Sequence, residues 1–179
     1  MRSAIVFVLG IVAGLLVLPA IAYLYFAFGR PPVAVADDAF PFEKQVVRVP
    51  LRARIAAEMP KQPAIPASDE HLVAGATIYR EQCASCHGLK GHPSAFGASM
   101  YPQTPQLWQK HKNGVVGVSD DEPGMTYWRV KNGIRLTGMP SYQKLLNDTQ
   151  LWQVSLLLSK ADKPLPAAAE ESVSKPIVR

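Results

Sequence analysis

The clearest chemistry in the sequence lies in five consecutive residues, Cys83-Ala84-Ser85-Cys86-His87, which include the only two cysteines of the chain. Two thiols three positions apart can add across the two vinyl groups of one haem, and the adjacent histidine can then ligate the iron. The pattern C-x-x-C-H is typical of c-type haem attachment. The sequence therefore predicts one haem c, bound through two thioethers to Cys83 and Cys86 and ligated by His87.

A C-x-x-C pair also occurs in dithiol redox centres and in zinc sites, which are the two alternatives to haem attachment. A zinc site needs a second pair of cysteines or histidines, and the sequence contains no second C-x-x-C. A thioredoxin-like centre needs a βαβ context, whereas the residues around Cys83 have a helical pattern. Haem attachment is therefore the favoured interpretation.

Six side chains are candidates for the opposite face of the iron: Met100, Met125, Met139, His71, His92 and His111. Met139 is favoured because it lies in Thr137-Gly138-Met139-Pro140, on a loop between two predicted helices. In such a loop the glycine lets the backbone approach closely, and the proline stiffens the chain that presents the sulfur. A methionine ligand raises the reduction potential relative to a second histidine.

The other five candidates have simpler interpretations. Met125 occupies an apolar position of a predicted helix, which favours a place in the core. Met100 lies in a loop rich in glycine and serine and remains a weaker candidate. The three histidines start a helix or lie beside lysines, which is typical of surface residues.

An uncharged apolar run extends from Ala4 to Phe28, which is long enough to cross a bilayer as a helix. A cleaved signal peptide is the alternative, since Ala20-Ile21-Ala22 and Ala34-Val35-Ala36 resemble cleavage sites. A retained anchor is favoured because the run is longer than a signal peptide requires and ends in an aromatic cluster. Because c-type haem is attached outside the bacterial cytoplasm, we expect an inner-membrane protein whose haem domain faces the periplasm.

The sequence predicts four regions in an all-α chain. Residues 1–30 form the transmembrane anchor, and residues 31–67 form a proline-rich linker with a short helix around Leu51 to Met59. Residues 68–160 form one domain of about three to four helices around one haem. Residues 161–179 form a flexible tail.

Three helices are predicted within that domain from capping and apolar spacing. The first covers Asp69 to Gln82, with Ser68 or Asp69 as its cap. The second opens at a capping box, Ser119-Asp120-Asp121-Glu122, and ends near Gly133. The third runs from about Asp148 to about Lys160, with Asn147 or Asp148 as its cap.

The formal net charge is +5, from 19 basic and 14 acidic side chains. This balance, without a basic stripe interleaved with aromatic residues, gives no indication of nucleic-acid binding.

From Ser68 to Lys160 the sequence resembles the class I cytochromes c. That family has a helix leading into C-x-x-C-H, a distal methionine on a later loop and a last helix that crosses the first. The resemblance implies that Gly75 and Tyr79 pack against Trp152. It also implies that Pro105, in Pro105-Gln106-Leu107, accepts a hydrogen bond from the ring of His87 through its carbonyl.

The sequence departs from compact members of the family in its long segment between Gly88 and Pro105, so Pro102 is an alternative to Pro105. The resemblance also implies partners for the haem propionates. The side chains that fit this role by composition are Tyr101, Trp108, Trp128 and Arg135, each of which also fits a core or surface position.

These observations predict an electron carrier rather than an enzyme, working alone or as the haem subunit of a complex. A membrane-bound oxidase, a quinol-oxidising complex or a periplasmic dehydrogenase is the expected class of partner. Three alternatives remain open at this point: a haem-based sensor or ligand-binding protein, a thiol–disulfide oxidoreductase using Cys83 and Cys86, and a structural subunit.

Overall fold

The structure is a computed structural model that describes residues 2–111 and 113–176. Over these residues the chain forms helices, turns and two isolated β-bridges but no strand, which confirms the all-α prediction. The eight helices are α1 (Arg2–Phe28), α2 (Glu43–Glu58), α3 (Asp69–Gln82), α4 (Ala84–His87), α5 (Ala95–Ala98), α6 (Pro123–Asn132), α7 (Asp148–Leu158) and α8 (Ala167–Ser174).

The chain divides into two compact units, one ending at Val46 and the other beginning at Val47. The first unit contains α1, whose 27 residues give a length of about 40 Å. By length and composition α1 is able to cross a membrane, and none of its residues is buried against protein. These properties are consistent with the predicted anchor.

Helix α2 is longer than the sequence predicts, because it continues through Pro50 instead of starting after it. A proline inside a helix removes one backbone hydrogen bond and costs roughly 3 kcal/mol. Ile55, in the last part of α2, is only 2 % exposed. Burial of its side chain offsets part of that cost.

The core of the second unit forms where α3 packs against α7 and α8, and where α7 packs against α6. The backbones of α3 and α7 meet at Gly75, where a Cβ atom would overlap the carbonyl oxygen of Gln153. Trp152, which precedes Gln153 on α7, is buried and stacks on Tyr127 with 4.3 Å between ring centroids. A glycine at position 75 therefore permits a helix crossing that a larger residue would block.

Two of the three predicted helix starts have the expected caps. Ser68 accepts a hydrogen bond from the His71 amide at 3.4 Å, and α3 has the predicted bounds. Asn147 and Gln150 form a reciprocal capping box at α7, with both bonds at 2.9 Å.

The capping box predicted at Ser119 is wrong. Helix α6 begins at Pro123, and Glu122 precedes it without a side-chain cap. Proline suits a first helical position because its φ is preset and it has no N–H to satisfy. Asp121, inside the predicted box, instead pairs with Arg129 at 2.5 Å.

The region predicted as a flexible tail contains α8 over its described part. Ala169 and Val173 in α8 are fully buried in the core. Arg80 of α3 donates hydrogen bonds to three backbone carbonyls at the end of α8, those of Ser172, Lys175 and Pro176. The two prolines before α8 end the preceding turn and do not prevent a further helix from packing on α3.

We predict that Gly75→Ala destabilises the domain by about 1–3 kcal/mol, because the added methyl group meets backbone that no rotamer change can move. The loss should outweigh the gain in helix propensity of about 1 kcal/mol. Urea unfolding followed by circular dichroism measures it. Thr77→Ala, at an exposed position of the same helix, is the control, and equal stability of the two variants would contradict the prediction.

Candidate functional site

The C-x-x-C-H residues occupy the junction between α3 and α4. Cys83 ends α3 through a bond from its amide to the Tyr79 carbonyl at 2.9 Å, and its own carbonyl starts α4 by accepting from the His87 amide at 2.9 Å. In such a turn, residues three and four positions apart share one face. The backbone therefore presents Cys83, Cys86 and His87 toward the same side.

A hydrogen bond orients the imidazole of His87. Its Nδ1 atom lies 2.8 Å from the carbonyl oxygen of Pro105. Because a carbonyl can only accept, Nδ1 carries the proton and Nε2 keeps its lone pair. Burial lowers the pKa of His87, and the bond to Pro105 opposes that shift. The ring is thus held in its neutral form, with the lone pair of Nε2 available.

The segment after the motif is fastened to it by Gln106. The side-chain amide nitrogen of Gln106 donates to the Cys86 carbonyl at 3.2 Å and to the Thr104 carbonyl at 3.3 Å. Its oxygen accepts from the Ser94 amide at 2.7 Å. At Gly97 a Cβ atom would overlap the Cys86 carbonyl oxygen, so α5 also lies directly against the motif.

Met139 lies on a short loop that begins and ends at the last turn of α6. The Ile134 amide donates to the Met139 carbonyl at 3.2 Å, and the Met139 amide donates to the Thr137 hydroxyl at 3.1 Å. Gly133 has φ +69°, and a Cβ atom there would crowd the backbone of Pro140. The side chain of Met139 is half-buried and packs against the hydrophobic core.

Tyr142 connects this loop to the C-x-x-C-H motif. Its hydroxyl donates to the carbonyl of Gln82, the residue before Cys83, at 2.8 Å. Burial, followed by the nearby cysteines, raises the pKa of Tyr142 to about 12, so the hydroxyl remains a donor. The structure therefore brings the loop of Met139 next to the start of the C-x-x-C-H turn.

A family model described as "Cytochrome C oxidase, cbb3-type, subunit III" matches residues 70–156. Residues 70–156 form a class I cytochrome c domain. The match covers all five predicted site residues and confirms the resemblance of the sequence to this family. No curated protein and no solved structure matches the chain.

The donor set of the cytochrome c domain fits a covalently bound haem. Both cysteines are free thiols on one helical turn, as two thioether bonds would require. The imidazole of His87 keeps Nε2 available, and its bond to Pro105 is the kind of outer-shell contact that fixes a ligand's orientation. The thioether of Met139 is half-buried, and its loop is joined through Tyr142 to Gln82, the residue before the C-x-x-C-H turn.

The other candidate ligands of the cytochrome c domain have different partners. The Met100 sulfur accepts from the Thr104 hydroxyl at 3.3 Å, and its methyl group occupies the space beside Gly138. The ring of His71 is bonded to Gln153 at 3.1 Å, and that of His111 to the Gly117 carbonyl at 3.1 Å. The two remaining candidates lie on α6 (Met125) and at an exposed position (His92).

The four side chains considered for haem propionates differ in their surroundings. The indole nitrogen of Trp128 donates to Glu58 at 2.9 Å. That of Trp108 is buried beside Tyr79, whose ring lies edge-on to the indole with 5.6 Å between centroids. Tyr101 and Arg135 are exposed. Both tryptophans are therefore engaged with protein side chains.

The alternatives to haem attachment receive no support from the site. Burial, followed by the charge of Cys86, raises the pKa of Cys83 to about 12, whereas a reactive dithiol needs a lowered pKa. Zinc needs four ligands, and the described residues contain no group of three or more histidine, cysteine or acidic side chains arranged for a metal.

Gln106 was not predicted as a site residue from the sequence, although it directly follows Pro105.

We predict that Gln106→Ala lowers the stability of the haem-loaded protein by about 1–3 kcal/mol, because it leaves the Ser94 amide and the Cys86 carbonyl without partners. Thermal unfolding measures it. Gln109→Ala, an exposed glutamine three positions on, is the matched control, and an equal effect from both would contradict the role given to Gln106.

Proposed function

We propose that this chain is a membrane-anchored c-type cytochrome that transfers single electrons between respiratory or dehydrogenase partners. One haem c would be attached through Cys83 and Cys86, with His87 and Met139 as axial ligands and Pro105 orienting His87. When bound, the haem supplies the one-electron ferric/ferrous couple. The observation that carries the proposal is the 2.8 Å bond between His87 and Pro105 next to two free thiols, inside a cytochrome c domain.

The protein's own contribution is to hold these donors and to limit access to them. Burial keeps the imidazole of His87 neutral, and the bond to Pro105 keeps it correctly turned. The loop bonds around Met139 restrain a soft sulfur, which favours ferrous iron and so a higher potential. If His87 and Met139 hold both axial positions, little room would remain for substrate chemistry, which supports a carrier rather than an enzyme.

The proposed location is the bacterial inner membrane, with a single crossing by α1 and the haem domain facing the periplasm. The length and apolar composition of α1 support this. A membrane tether raises the effective concentration of membrane-bound partners without any new contact. The matched family description names an oxidase subunit, which favours an oxidase complex among the proposed partners; a quinol-oxidising complex or a periplasmic dehydrogenase is also proposed.

Haem attachment is tested by the spectrum of the denatured protein in alkaline pyridine. We expect a c-type haemochrome that resists extraction by acidified acetone, because thioether bonds survive both treatments. Cys83→Ser and Cys86→Ser should each leave at most one thioether and shift the spectrum. A haem-free, folded protein with two free thiols would contradict the proposal and favour thiol–disulfide chemistry.

Met139→Ala should lower the reduction potential by on the order of 0.1 V or more, since axial ligands span roughly 0.8 V across haem proteins. It should also open the ferrous iron to carbon monoxide. Redox titration and carbon monoxide difference spectra measure the two effects. Met100→Leu and Met125→Leu are the matched controls. Unchanged potential in Met139→Ala would exclude it as the ligand, and carbon monoxide binding to the unmodified protein would favour a sensor.

A further inference from the structure

A segment outside the family match packs against the cytochrome c domain. This segment, residues 55–65, lies entirely within the second compact unit and is here termed the strap. At one end Ile55 is only 2 % exposed, and at the other Ile65 packs against the hydrophobic core. The strap therefore belongs to the packed domain, although the sequence predicts a linker there.

Two contacts fasten the strap to α6. The indole nitrogen of Trp128 donates to the carboxylate of Glu58 at 2.9 Å, and Arg54 holds the same carboxylate at 2.8 Å. At Gly124 a Cβ atom would overlap the carbonyl oxygen of Pro60. Positions 124 and 128 are one turn apart, so both contacts lie on one face of α6.

The last turn of α6 holds the loop that carries Met139. The amide of Tyr142 donates to the Val130 carbonyl at 3.1 Å. The Lys131 carbonyl accepts from the Gln143 amide at 3.2 Å and from the Ser141 hydroxyl at 2.7 Å. The loop therefore leaves α6 and returns to it, and its position follows that of the helix.

We propose that the strap positions the Met139 side of the haem site through α6. Ile55, Glu58 and Trp128 are then positioning residues, which act on the distal sulfur without touching it. A ten-residue helix transmits a displacement at one end to the other because its backbone is hydrogen-bonded throughout. The inference rests on the proposed function, since it assigns the loop of Met139 to the haem.

The test uses the full-length, haem-loaded protein in detergent, with imidazole as a probe that competes for the distal position of ferric iron. Ile55→Ala and Glu58→Leu should each raise the affinity for imidazole about tenfold, within the roughly 5–150-fold range of coupled sites. Both should also weaken the ferric absorption band of iron–thioether coordination. Glu58 is exposed, so Glu58→Leu should fold even if Ile55→Ala does not.

Two controls distinguish an effect on the position of the Met139 loop from a general loss of domain stability. Glu58→Gln keeps an acceptor for Trp128 and should restore the imidazole affinity of the unmodified protein to within about twofold. Val173→Ala removes buried methyl groups from α8, which packs on α3, and should lower stability without changing the affinity.

The outcomes distinguish a failure of the strap inference from a failure of the proposed function. If Met139→Ala abolishes the absorption band while the strap variants leave imidazole affinity unchanged, the strap inference is overturned and the ligand assignment stands. An equal rise in affinity in Val173→Ala would also overturn it. If the unmodified protein lacks the band and Met139→Ala changes nothing, the ligand assignment fails, and the strap inference fails with it.

Discussion

The contact between Gly75 and the backbone of Gln153 is the constraint on which the rest of the domain depends. It sets how closely α3 and α7 approach, and α3 leads directly into the turn that contains Cys83. The neighbouring Trp152 then stacks on Tyr127 of α6. One close backbone crossing thus fixes the relative positions of the helix that ends at the C-x-x-C-H motif and the helix that carries the Met139 loop.

From this crossing the site is built by hydrogen bonds between segments distant in sequence. On one side, Pro105 is hydrogen-bonded to His87 and Gln106 is hydrogen-bonded to Cys86. On the other, Tyr142 reaches back to the Gln82 carbonyl. Gln106 and Tyr142 donate to backbone carbonyls close to the α3–α4 junction, and His87, at that junction, donates to the backbone carbonyl of Pro105. The side chains that would hold the haem are consequently oriented by main-chain atoms, whose positions are hard to change by mutation.

Local signals in the sequence predicted much of this. The caps at Ser68 and Asn147 act within one turn of the chain, so α3 and the start of α7 could be recognised from sequence. The C-x-x-C-H spacing predicted that Cys83, Cys86 and His87 act together at one haem. The bond to Pro105 could be expected only from the resemblance to the class I cytochromes c, because it joins residues eighteen positions apart.

Features that depend on long-range packing were missed. Glu58 and Trp128 are 70 positions apart, and Arg80 bonds to carbonyls more than 90 positions away, so no local pattern reports either contact. Pro50 lies inside α2 and Pro166 directly precedes α8, yet burial of Ile55 and Val173 stabilises these two helices. The capping box at Ser119 failed because Pro123 disfavours a helical conformation at Glu122, whose backbone is extended at φ −60° and ψ 133°.

The bonds from Arg80 to the end of α8 have a consequence for the order in which the domain can be completed. They join α3 to carbonyls that lie 92 to 96 positions later in the sequence. Synthesis runs from the N-terminus to the C-terminus, so the C-x-x-C-H turn, which directly follows α3, is made well before residues 172–176. The three bonds that attach the end of α8 to α3 can therefore form only after the turn itself has been synthesised.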